Sequence, residues 1–190
     1  MDNLFVYLLA GGLLLAVIVI FLYNSLVRKR NNAESAWANI DVQLKRRYDL
    51  IPNLVESVKA YASHEREVFE RIAQLRSSFE KEVSPQKIGE IDRQMNAAFR
   101  QIFALAEGYP ELRASENFLV LQETLAGTEN KIAYSRNNYN NAVMSYNTAM
   151  QVFPGVLIAK VFGFREKEFF EIEEPQEREA VKVDFAEGGE

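Results

Sequence analysis

The chain has no cysteine. That excludes disulfides, zinc–thiolate sites, thiol catalysis and a lipidated cysteine, while leaving the side of the membrane open. Histidine is nearly absent as well. The single residue, His64, stands before Glu65 and begins an apparent H-E-x-x-H, but the fifth position is Val68 and no second imidazole exists to complete a metal pair. His64 is therefore expected to be a polar residue on or near a helix surface. Excess positive charge is also missing: 22 Lys and Arg against 27 Asp and Glu give a net charge of -5, the wrong balance for a nucleic-acid binder. There is no glycine-rich phosphate loop, no G-x-S-x-G and no run of strand-period alternation. No cofactor, no metal and no catalytic constellation follows from these residues, so the expectation is a non-enzyme.

Charge is absent altogether from Asn3 through Val27, and the heart of that stretch is LFVYLLAGGLLLAVIVIFL, Leu4 to Leu22. About 20 apolar residues suffice to cross ~30 Å of hydrocarbon as a helix. The acidic start at Asp2 and the bulky Ile20-Phe21-Leu22 do not suit a cleaved signal peptide, so a retained anchor over residues 1–27 is expected. Arg28-Lys29-Arg30 follows it, with no Lys or Arg before it. Positive-inside bias then puts the N-terminus outside and the remainder in the cytoplasm, a single-pass cell-membrane topology. Gly12 and Ala16 form a small-xxx-small pair that arises easily by chance.

Beyond the anchor the apolar residues recur at steps of three and four: Trp37, Ile40, Leu44, Tyr48, Ile51, Val55, Val58, Ala62, then Phe69, Ile72, Leu75 and Phe79. This is one stripe on a helix running from about Ala33 to Glu82, with Pro52 its expected kink or break. Ser84-Pro85 reads as an N-cap with proline in the first turn, opening a second helix that carries Ile88, Ile91, Met95, Ala98, Ile102, Leu105 and Tyr109. Gly108-Tyr109-Pro110 ends it. A third run from Glu111 or Leu112 carries Phe118, Leu121, Leu125, Ile132, Tyr139, Val143, Tyr146, Met150 and Phe153, with Thr128 and Arg136 on the same stripe, until Pro154-Gly155 stops it. The fold class is all-α: a transmembrane helix followed by an antiparallel bundle of three to four long helices over residues 28–164. From Arg165 the composition turns acidic, ten Asp or Glu against four Lys or Arg, and a solvated, mobile tail over 165–190 is expected.

Two stretches stand out as a candidate interaction surface. Lys45-Arg46-Arg47 lies on the order of 25–30 Å beyond the membrane boundary if the chain is helical from Val27, too far for lipid charge to act across a Debye length of about 8 Å. It would meet acidic groups on its own bundle, on the tail or on another copy. The segment Val156, Leu157, Ile158, Val161, Phe162 and Phe164, apolar but for Lys160, is fit to lie on the bundle, on the membrane surface or against a neighbouring copy. The carboxylates Glu34, Asp41, Asp49 and Glu56, seven or eight residues apart, suit a solvated face better than an acid–base pair. Asn137, Asn138, Asn140, Asn141 and Asn147 lower helix propensity, and one or more is expected to hydrogen-bond between helices.

The segments AWANIDVQLKRRYDLIPNLVESVKAYASHE, YPELRASENFLVLQETLAGTENKIAYSRNNYNNAVMSYNTAMQVFP and IAKVFGF closely resemble the bacterial LemA family, in three separated motifs and in the family's order. The resemblance covers the anchor and the chain to about Phe164, leaving the acidic tail outside. It implies a single-pass membrane protein with a helical bundle, and a setting in membrane organisation or envelope stress; it brings no enzymatic role onto any residue. The function expected from all of this is a membrane-anchored helical scaffold that assembles with itself. The alternative is a cytoplasmic-side adaptor for a membrane protease or transporter. The implied partners are membrane lipids through the anchor, further copies of the chain and a membrane protein, not nucleic acid.

Overall fold

From Leu13 to Ile51 the sequence contains neither glycine nor proline, and nothing in it interrupts a helix once begun. The computed structural model, which describes residues 2–62 and 64–170, accordingly shows one helix, α1, over Asp2–Asp49. Its 48 residues extend for about 72 Å. No feature marks the step from the apolar span to the polar half: the helix simply passes from one to the other.

Pro52 comes just after a one-residue break in the helix and does not turn the chain. Leu50 keeps right-handed helical angles, α2 occupies Ile51–Lys59, and Pro52 falls in its first turn, where a missing N–H forfeits no intrahelical bond. The ladder resumes at once with the Leu54 N–H on the Leu50 carbonyl, 3.1 Å. The reversal comes later, between Lys59 and Arg66, and splits the expected fifty-residue run in two. The apolar pattern conceals it because Ala62 and Phe69 are seven residues apart, two helical turns, and so keep phase across the turn. His64 lies exposed in that turn rather than on a helix.

The remaining elements are α3 (Arg66–Lys81), α4 (Pro85–Glu107), α5 (Pro110–Arg113), α6 (Glu116–Gln151) and α7 (Gly155–Phe162). Between α3 and α4 the Glu82 carboxylate accepts the N–H groups of Val83 and Ser84, both at 3.0 Å, and these bonds hold it below the usual carboxylate range. Ser84 is the N-cap of α4 and Gly108 its C-cap, as the sequence suggests; Gly108 keeps right-handed helical angles. The third expected run is interrupted at Ala114-Ser115, which separates α5 from α6.

Helix α6 returns along α1, with Lys29 meeting Ser145, Trp37 meeting Tyr139 and Arg47 meeting Glu129, a descending register that makes the pair antiparallel. The α3–α4 hairpin closes the bundle. The expected all-α architecture, a long apolar N-terminal helix followed by a helical bundle, is the one observed. Its core joins Ile40, Leu44, Leu54 and Val58 to Ile72, Met95, Ile102 and Ile132. The face of α4 that turns inward is Ile88, Asp92, Met95, Phe99, Ile102 and Ala106, so Ile91 and Leu105 lie at its edge rather than its centre.

Candidate functional site: the junction of α1 and α7 and the buried arginine

A second, smaller core lies where α1 leaves its apolar span. Leu26 of α1, Tyr146 and Met150 of α6, and Ile158 and Ala159 of α7 are all buried there, with Val19, Leu22 and Phe164 packed around them. Helix α7 reaches this position because Phe153-Pro154 ends α6 and Gly155 starts the next helix hard against it. A Cβ at Gly155 would collide with the Ala149 carbonyl oxygen, so only glycine fits. At the far end Gly163 takes left-handed angles (φ 69°), and the Phe164 N–H closes on the Ala159 carbonyl at 3.0 Å, a Schellman-type finish. That turn delivers two rings to Tyr23: Phe162 at 4.9 Å and Phe164 at 5.6 Å between centroids. The Arg30 guanidinium lies over the Phe164 ring.

After α7 the chain runs in extended form along α6, fixed by a repeat in the sequence. Tyr139-Asn140 recurs as Tyr146-Asn147, seven residues on. The Asn147 side chain accepts the Lys167 N–H (3.0 Å) and donates to the Lys167 carbonyl (2.9 Å); Asn140 does the same with Phe170, both at 3.0 Å. The tyrosine hydroxyls donate to the carbonyls of Arg165 (3.0 Å) and Glu168 (2.7 Å). The register works because seven helical residues rise about 10.5 Å and three extended residues span about 10 Å. Burial pushes Tyr139 up to about 12, assisted by Glu168. Phe170 ends the ladder fully buried, 6.1 Å from Trp37. Thus Asn140 and Asn147 bond not to another helix, as expected, but to the backbone of an extended segment. Of the expected mobile tail, residues 165–170 are seated in this way and 171–190 lie outside the described residues.

Arg47 is the other concentration of polar chemistry. It is 1% exposed, with its guanidinium on the carboxylates of Asp92 in α4 and Glu129 in α6 and 2.8 Å from the Asn96 side-chain oxygen. Asn96 in turn donates to Glu129 at 3.1 Å. The rings of Tyr48 and Phe99 flank the cation at 5.9 and 5.6 Å. Burial lowers the Arg47 pKa and Glu129 opposes the shift; a guanidinium nonetheless keeps its charge in a protein. A cation that never releases its proton cannot serve as acid or base, and its role here is to tie α1, α4 and α6 together. Among the described residues, no three His, Asp or Glu side chains converge as a metal site.

Residues 36–185 match the sequence model of the LemA family. The chain belongs to the LemA family. It is similar to the "Magnetosome protein MamQ" of Magnetospirillum gryphiswaldense (25% identity over 78% of this chain and 64% of that protein) and to "Magnetosome protein MamQ 2" of Paramagnetospirillum magneticum (24%, with the same coverage). It is also similar to "Protein LemA" of Metamycoplasma hominis, 26% identical over 86% of this chain and 74% of that one. The chain thus spans a little under two thirds of the MamQ proteins' length. None of these names denotes a catalysed reaction. The LemA match takes in both Tyr-Asn pairs and the extended segment, and continues past Phe164, further than the motifs alone reach.

Within this LemA bundle the residues of the expected interaction surface separate. Arg47 is not surface: it flanks the apolar stripe, three residues after Leu44 and four before Ile51, and so turns inward. Lys45 pairs with Asp41 on the same helix at 2.6 Å, and Arg46 is exposed. Of the second stretch, Ile158 is buried against Leu26, Val156 and Phe164 are half-buried, and Leu157, Val161 and Phe162 face outward. Phe153, expected on the α6 stripe, is 78% exposed beside them. Asp92 and Glu129 carry the Arg47 cluster and were not singled out by sequence. The signal was available for Asp92, an acid four residues after Ile88 on an otherwise apolar face.

Proposed function

We propose that this chain is a membrane-anchored helical scaffold that assembles with copies of itself and works in membrane organisation or envelope stress. The observation that carries the reading is the continuity of α1, whose exposed apolar half is long enough to span a bilayer and whose other half is the central partner in the bundle. A domain joined in this way stands at a fixed height over the lipid, which suits spacing and arranging membrane more than reaching for a diffusing substrate. The names borne by the MamQ relatives support the same setting. The test is crosslinking of the full chain in native membranes. The scaffold reading expects a ladder of self-adducts; adducts with one foreign membrane protein in fixed ratio would favour the adaptor instead, and a strict monomer would sink both.

The bundle belongs on the cytoplasmic side in this reading, on the strength of Arg28-Lys29-Arg30 directly after the span. A chain without cysteine makes the test direct. With an impermeant thiol reagent on intact cells, Asn3→Cys should label and Ser78→Cys, exposed on α3, should label only after lysis. The reverse pattern would overturn the orientation.

A further inference from the structure

The inner side of α7 is accounted for by Gly155, Ile158 and Ala159, which dock on α1 and α6. Its outer side meets no partner among the described residues. Leu157 (54% exposed) and Val161 (78%) are four residues apart on one face of α7, and Phe153 (78%) and Val152 lie exposed in the turn that leads into it. A contiguous apolar patch of this kind marks a contact surface rather than a face meant for water. Its place in the fold says what covers it. A span beginning at Leu4 and using the ~20 residues that hydrocarbon requires ends at about Tyr23, and Tyr23 is the residue on which Phe162 and Phe164 stack. Val19 and Leu22, in the last turn of the span, pack against the same cluster as Ile158 and Ala159. A helix packed on α1 has its axis about 8–10 Å away, within the shell that lipid occupies around the span. The basic side chains are at the same level: Lys160 on α7 is exposed, Arg28 is exposed, and Arg30 lies over Phe164.

We propose that α7 is a second membrane contact, an amphipathic helix lying in the headgroup–acyl boundary of an anionic bilayer, with Phe153, Leu157 and Val161 inserted and Lys160, Arg28 and Arg30 at the phosphates. This rests on the membrane-anchored reading above and adds to it a fixed depth for the bundle. The apolar face of α7 continues the apolar surface of the span around its last turn, so the bilayer that receives one receives the other. What sets this patch apart from the other exposed apolar side chains of the bundle is its place, beside Tyr23 and the last turn of the span.

The experiment uses the full chain in vesicles of phosphatidylcholine and phosphatidylglycerol in equal parts, doped with lipid bearing a nitroxide on the upper acyl chain. A fluorescent thiol probe is attached at Val161→Cys, and in a separate sample at Ser78→Cys. Strong nitroxide quenching and a blue-shifted emission at position 161, with neither at position 78, is the expected result; both effects should fall several-fold in a Leu157→Glu, Phe153→Glu background and in vesicles lacking phosphatidylglycerol the shift should weaken. A probe at 161 as wet as the one at 78 overturns the proposal. So does protection at 161 that disappears when the chain is diluted to single copies per vesicle, which would assign the face to a second copy. Because the anchor is untouched, vesicle flotation is read in parallel: loss of flotation speaks against the membrane-anchored reading itself, whereas a wet probe on floating vesicles speaks only against α7.

Discussion

Arg47→Ala is expected to destabilise the bundle by about 3–5 kcal/mol, the cost of leaving a buried carboxylate without its counter-charge. Asp92 is 2% exposed and meets Arg47 directly, so removal of the cation strands an anion between α1 and α4, where water cannot replace the lost guanidinium. Denaturant unfolding of the full chain in detergent, followed by the fluorescence of Trp37, gives the midpoint and slope that measure this. Arg47→Lys should recover little, because one ammonium cannot replace a planar fork that reaches Asp92, Asn96 and Glu129 together. Arg47→Met with Asp92→Leu should recover most of it, since a buried ion pair exchanged for apolar residues of like volume is often neutral or better. A loss below about 1 kcal/mol for Arg47→Ala would show the cation to be dispensable and the three-helix tie to lie elsewhere.

The second large effect concerns the Tyr-Asn repeat. Asn140→Ala with Asn147→Ala removes four hydrogen bonds that hold the backbone of Lys167 and Phe170. At about 1 kcal/mol for each bond, less what the freed backbone regains from water, the pair should cost about 2–4 kcal/mol. The effect is local before it is global: the amides of Lys167 and Phe170 should lose their protection from hydrogen exchange and trypsin should cut after Lys167, while the amides of α6 remain slow. Retained protection in the double variant would mean that buried Phe170 and the two tyrosine hydroxyl bonds hold the segment without the asparagines.

The parts of this structure that could be read from sequence are those written in period. The apolar N-terminal helix, the Ser84-Pro85 start, the Gly108 stop and the break at Pro154-Gly155 all follow from local residue chemistry, and all four appear. The reversal between α2 and α3 could not be read, because Ala62 and Phe69 keep helical phase across it and no glycine or proline marks the turn. The Arg47 cluster failed for a different reason. Its members are 45 and 37 residues apart along the chain, and a long-range ion pair has no signature in any local window. The Tyr-Asn ladder was half visible: a polar repeat at seven residues on a helix announces a partner, but not that the partner is extended backbone rather than another helix.

The absence of a hinge in α1 has a mechanical consequence. With no glycine or proline from Leu13 to Ile51, the angle that the proposed span would adopt in a bilayer is also the angle of the bundle. A span tilts when the hydrocarbon is thinner than its apolar length and straightens when it is thicker. Asp49 lies 26 residues beyond Tyr23, about 39 Å of helix, so a tilt of about 10° swings it sideways by about 7 Å. In the membrane-anchored arrangement proposed above, the molecule is in effect a lever with its fulcrum at Tyr23, which would convert a small change in bilayer thickness into a displacement of the bundle across the membrane plane.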